Sequence, residues 1–99
     1  MSLSVGTALG TGAISTSNAA VLVVEFHARS DNAGSAYVGN SDVSSSKGRE
    51  LPPGESFTLN FALPDILAHA GKVLLSSFYV QLSSSDKVDW SAIIRDPAA

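Results

Sequence analysis

Apolar and polar residues alternate along most of this chain. In "AVLVVEFHARS", Leu22, Val24, Phe26 and Ala28 fall on one face, while Glu25, His27 and Arg29 fall on the other after Val21 and Val23. A period of two marks a half-buried strand, because successive side chains of extended backbone point to opposite faces. "ESFTLNFAL" repeats the pattern, with Phe57, Leu59, Phe61 and Leu63 inward and Ser56, Thr58 and Asn60 outward. "SSFYVQLSS" sends Phe78, Val80 and Leu82 inward, with Tyr79 and Gln81 outward. "KVDWSAIIRD" sets Val88, Trp90, Ala92 and Ile94 against Asp89, Ser91 and Ile93. "SAYVG" and the opening "LSVGTALGTGAIS" are weaker candidates, the second because glycine gives a strand nothing to pack.

Turn chemistry separates these runs. "SDNAGS" and "GNSD" are rich in residues that accept positive φ or bond their own backbone. In "LPPGES", Pro52 and Pro53 fix φ and Gly54 allows the reversal. "SSSDK" is predicted to join the last two strands as a hairpin loop. Only "PDILAHAG" has a helical look, with Pro64 near a first turn and Gly71 as a stop. No βαβ spacing is present, so the pattern predicts an all-β fold: a small antiparallel β-sandwich or barrel with at most one short helix. Its expected core is Phe26, Phe57, Leu59, Phe61, Phe78, Val80 and Trp90. Residues 1–19 are expected to be an N-terminal arm or edge strand, and 20–99 a single β domain. The first dozen residues, rich in small side chains, read as an arm that becomes ordered against a neighbouring subunit.

Composition narrows the partners. The 99 residues fit one domain. Charged residues make up 15%, below the roughly 25% of average soluble proteins. Two explanations stand side by side: part of the surface is covered by a partner, or Ser, Thr and Asn replace charge on an open one. The net charge is −3 with no basic stripe, which argues against direct nucleic-acid binding. The absence of cysteine removes disulfides, thiolate metal sites and cysteine nucleophiles together. No apolar run approaches the roughly 20 residues that span a bilayer. "MSLSVGTALG" lacks a basic start and a continuous apolar stretch, so it does not read as a signal peptide. A soluble chain made in the cytoplasm and kept whole is expected.

Chemistry-bearing residues are few. His27 sits among Glu25 and Arg29 on the polar face of a strand, His69 lies in "LAHAG", and neither belongs to a nucleophile motif. The acids fall in turns, where carboxylates cap backbone N–H groups, or beside polar neighbours at Asp89 and Asp96. Asp31, Asn32 and Asp42 could offer oxygen ligands to calcium if their turns met, but turn formation alone explains them. "GTALGTG" lacks the lysine and the strand–helix context of a phosphate loop. No catalytic, cofactor-binding or metal-binding residue is therefore assigned, and the chain is not expected to be an enzyme.

One segment carries a likeness. In "AYVGNSDVSSSKGRELPPGESFTL", residues Tyr37, Val38, Gly39, Ser41, Asp42, Val43, Gly48, Leu51, Pro53, Gly54, Glu55 and Ser56 follow a strand–turn–loop–turn–strand order. That order resembles a segment of small virion structural proteins of tailed bacteriophages, and the likeness extends over residues 20–94. It implies a capsid decoration (cement) protein of the phage head, with the major capsid protein as partner and self-association as a trimer or dimer. No membrane partner is expected, since no apolar run is long enough to span a bilayer. The polar loop from Asn40 to Glu50 is then the contact element, with Asp42, Lys47, Arg49 and Glu50 as its charged residues. Alternatives are a tail, head–tail connector or fibre component, or a carbohydrate- or receptor-binding β-sandwich using Tyr37 and Tyr79.

Overall fold

The computed structural model describes residues 2–61, 73–83 and 85–94. The expected helix at 64–71 lies outside them, as do Leu63, His69 and Asp96. The strands are β1 (Ser2–Ala8), β2 (Gly12–Ala13), β3 (Val21–Ala28), β4 (Ala36–Gly39), β5 (Arg49–Leu51), β6 (Ser56–Asn60), β7 (Tyr79–Gln81) and β8 (Val88–Ile94). A 3-10 turn at Leu75–Ser77 precedes β7.

These strands form two antiparallel four-stranded sheets, ordered β1-β8-β3-β6 and β2-β7-β4-β5. The all-β sandwich expected from the alternation is the observed architecture. Its strand order is that of a double-sheet jelly roll, in which the chain crosses between sheets at almost every connection. Only β4 and β5 are neighbours in both sequence and space. The last two strands are therefore not a hairpin: β7 and β8 lie in opposite sheets, and "SSSDK" is a crossover. What holds that crossover is Asp86, which is 2% exposed and accepts the N–H groups of Ala33 and Gly34 at 2.7 and 3.1 Å. Beside it, the Asn32 side chain bonds both the N–H and the C=O of Lys87. A two-strand hairpin would leave a buried carboxylate without donors; joining two crossovers supplies them.

The inward faces meet where the alternation places them. Val24, Phe26, Ala28, Val88, Trp90 and Ala92 from one sheet pack on Ala36, Val38, Leu51, Phe78 and Val80 from the other. Phe26 is completely buried and ring-packed on Phe57 and Phe78, at centroid distances of 5.4 and 5.8 Å. Phe57, Leu59 and Phe61 are half-buried, because β6 is the edge of its sheet. The start of β3 departs from simple alternation. A bulge between Val21 and Val23 puts Val21, not Leu22, into the core beside Val24, since one extra residue flips the faces on either side of it.

The opening residues pair with β8 over the whole of β1, from Ser2↔Ile94 to Ala8↔Val88. Their small side chains have a use here. Trp90 lies across Gly6 so closely that a Cβ on residue 6 would meet its ring at 2.7 Å. Ser4, Gly6 and Ala8 thus face the core, while Leu3 and Val5 point to solvent, 69% and 66% exposed.

Candidate functional site

Crossovers at one end of the sandwich are knitted together. Asn32 and Asp86 tie two of them, Thr11 bonds the backbone of Leu82, and the Gly54 N–H reaches the C=O of Ala28. The β4–β5 connection leaves from the opposite end, where the segments before β3 and before β7 also bond each other, through Val21 N–H to Val73 C=O, Leu75 N–H to Ala19 C=O and Ser76 Oγ to Asn18 Oδ1.

That connection is a structured turn. Asn40 C=O accepts from the Val43 N–H, and Ser44 and Lys47 exchange backbone hydrogen bonds around Ser45–Ser46. Val43 supplies an apolar anchor that a purely polar reading of the loop overlooks. It packs on Gly39 and Gly48, where an added Cβ would approach its Cγ2 to 3.1 and 2.7 Å. Gly48, at φ +155°, combines that contact with a backbone shape L side chains resist. The glycines at 39 and 48 thus let the turn fold back on itself.

The four charged residues of this segment do not form one cluster. Asp42 and Lys47 meet across the tip at 3.5 Å, with side chains 68% and 70% exposed. Arg49 and Glu50 belong to β5, where neighbours in sequence point to opposite faces. The Arg49 guanidinium lies 5.3 Å above the Phe57 ring, a cation–π arrangement. Glu50 turns the other way and accepts a 2.8 Å hydrogen bond from Ser35. Beside Arg49, a groove of about 610 Å³ runs between the sheets, lined by Val38, Phe57, Phe61, Val73 and Phe78 among others. The tip therefore offers one weak ion pair, three serines and an adjacent apolar groove.

A second polar array lies on the outer face of the β1-β8-β3-β6 sheet. Asp89 accepts two hydrogen bonds from Arg29, both 3.0 Å, and one from Thr7 at 2.7 Å. The Arg29 hydrogen bond holds Asp89 below its usual range; partial burial opposes this and Thr7 reinforces it. The same bond raises the Arg29 guanidinium above its ordinary value. In register across three strands stand Ser56, His27 and Asp89, with His27 Nδ1 2.7 Å from Ser56 Oγ. The row lacks what acyl transfer needs. The carboxylate is committed to Arg29 and Thr7, and His27 Nδ1 faces Ser56, so the carboxylate does not orient the imidazole as a triad acid would. Sequence spacing gives no hint of this row, since its members are brought together only by strand order.

Tyr37 and Tyr79 share the outer face of the other sheet, diagonal to each other through the pairs Tyr37↔Gln81 and Gly39↔Tyr79. Both are half-buried. Asn32 is occupied with the Lys87 backbone, and among the described residues no three His, Asp or Glu side chains converge as a metal cluster.

No family model, no curated protein and no solved structure matches this chain.

Proposed function

We propose that this chain is a capsid decoration (cement) protein of a tailed-bacteriophage head. It is made in the host cytoplasm and laid on the outside of the shell formed by the major capsid protein. The observation that carries the reading is the β4–β5 turn. It is exposed, internally hydrogen-bonded, and charged only at its tip. Its residues are the ones that resemble phage virion proteins, so likeness and exposure fall on the same segment. A jelly roll is compatible with this role by analogy alone, because the architecture hosts viral capsid and lectin domains alike.

The mechanism is mass action. A protein that binds the assembled shell and not its separated subunits raises the free energy of taking the shell apart. Each contact can be weak, since an exposed ion pair is worth about 0–1 kcal/mol. Repetition over many copies makes the coat cohesive. The Asp42–Lys47 tip and its serines give the polar rim, and the groove beside Arg49 gives an apolar centre, the usual anatomy of a contact patch.

The test is co-sedimentation of the purified chain with heads that lack it. Binding should occur, weaken with added salt, and fall when Ser44–Lys47 is replaced by a Gly-Ser turn of the same length. Equal binding by the replaced chain would move the contact elsewhere. A carbohydrate-binding reading has one observation in its favour, the Tyr37–Tyr79 diagonal on an open sheet face. Loss of glycan binding in Tyr37→Ala, with head attachment absent in the parent, would select it.

A further inference from the structure

We propose that the free edge of β1 is a self-pairing surface, through which two copies of this chain join their sheets antiparallel about a two-fold axis. The inference rests on which backbone groups of β1 point away from the molecule.

Those groups follow from the register. Arg29 donates its N–H to the Lys87 C=O, so β3 bonds β8 through the odd-numbered residues of β8, as in the pairs His27↔Asp89 and Glu25↔Ser91. On the other side of β3, Ala28 bonds Glu55, which fits the same alternation. In an antiparallel ladder each residue directs both its N–H and its C=O to the same side. The even-numbered residues of β8 therefore bond β1, through Val88↔Ala8, Trp90↔Gly6, Ala92↔Ser4 and Ile94↔Ser2. It follows that Leu3, Val5 and Thr7 aim their N–H and C=O groups outward, beyond the sheet.

Among the described residues, β8 is the only strand paired with β1. An unpaired edge is a template for strand addition, and proteins usually blunt it with lysine, proline, a bulge or brevity. Two of the other three edges show such protection: β2 has two residues, and β5 has three, two of them charged. The third, β6, is shorter than β1, at five residues against seven. β1 runs for seven residues with no charge, no proline and no register shift.

A second copy fits this edge better than an unrelated strand because β1 is complementary to itself. With a two-fold axis at Val5, Val5 of one protomer faces Val5 of its partner, and Leu3 faces Thr7 on each side. Every outward N–H then meets an outward C=O. The side chains that come together on the outer face are Leu3, Val5 and Thr7, so no like charges are opposed. The exposed Leu3 and Val5, with Ile93 beside them, become a continuous apolar strip. The contact is isologous and closes at two copies, giving one eight-stranded sheet and no open chain of subunits. It is distinct from the β4–β5 turn, so it neither requires head attachment nor follows from it.

The test is made in solution, without heads. Sedimentation equilibrium of the full chain should show a monomer–dimer equilibrium, and amide exchange by NMR should locate the contact. The N–H groups of Leu3, Val5 and Thr7 should exchange at least ten-fold more slowly in the dimer than in the dilute monomer. Those of Ser4, Gly6 and Ala8, bonded to β8 in both states, should not change. Val5→Pro removes an N–H that points away from β8, its only paired strand among the described residues, and should abolish the dimer with the fold retained. Val5→Lys, whose side chain points to solvent, should do the same and serves if the proline variant fails to fold. A parent that stays monomeric to millimolar concentration, a trimer, or a dimer that survives in either folded variant would overturn the proposal.

Discussion

Phe26 has no exposed surface and is the common neighbour of Phe57 and Phe78, so its ring bridges the two sheets. Phe26→Ala should cost about 3–5 kcal/mol, a large share of the stability of so small a domain. Phe61→Ala should cost less, because Phe61 is half-buried and meets Phe78 at 6.1 Å from an edge strand. Chemical denaturation of the two variants checks the order. Asp86→Ala should cost about 1–3 kcal/mol by stranding the Ala33 and Gly34 N–H groups, and an amide-exchange map should show the 29–35 crossover loosening first. At Asp89 the folded carboxyl is held below its ordinary value, chiefly by Arg29. Its contribution is complete above the unfolded pKa of about 3.9 and is lost as pH falls through the lower folded value. Asp89→Asn should therefore flatten the acid limb of the stability curve and leave its slope at neutral pH unchanged. With both partners about two-fifths exposed, the effect is modest.

At the scale of elements, the β4–β5 turn is separable from the core and β1 is not. Val43 packs on Gly39 and Gly48 of its own hairpin and the core cluster takes no residue from 40–48, so exchanging Ser44–Lys47 for a Gly-Ser turn should move the melting temperature by no more than a few degrees. Alternation made the principal strands and their buried faces legible, because burial of one face writes itself directly into sequence. Pairing order is not written there: β7 and β8 would show the same inward residues whether they were hairpin partners or belonged to opposite sheets. The bulge before Val23 was hidden for a related reason, since Val21, Leu22, Val23 and Val24 are all apolar and any phase fits them. In the β4–β5 segment, the exposed tip was readable from its serines and glycines. The divergence of Arg49 and Glu50 was not, because it depends on β5 beginning at Arg49. Asp86 was missed since its partners lie 53 and 52 residues away in another crossover.

For the molecule as a whole, the jelly-roll order puts the crossovers joined by Asn32 and Asp86 at one end and the β4–β5 turn with the groove beside Arg49 at the other. The low charge of the chain, 15%, fits a body with one end against a shell and an uncharged edge against a second copy. Both proposed attachments would be built from modest contacts, so their strength should come from number and symmetry. The proposal that the chain coats a phage head is tested most directly by electron cryomicroscopy of purified virions carrying it. The account predicts density for this two-sheet body on the outer surface of the head, with the Asp42–Lys47 tip directed at the major capsid protein. Virions whose heads are bare of it, with the same density found in the tail, connector or fibres, would contradict the account.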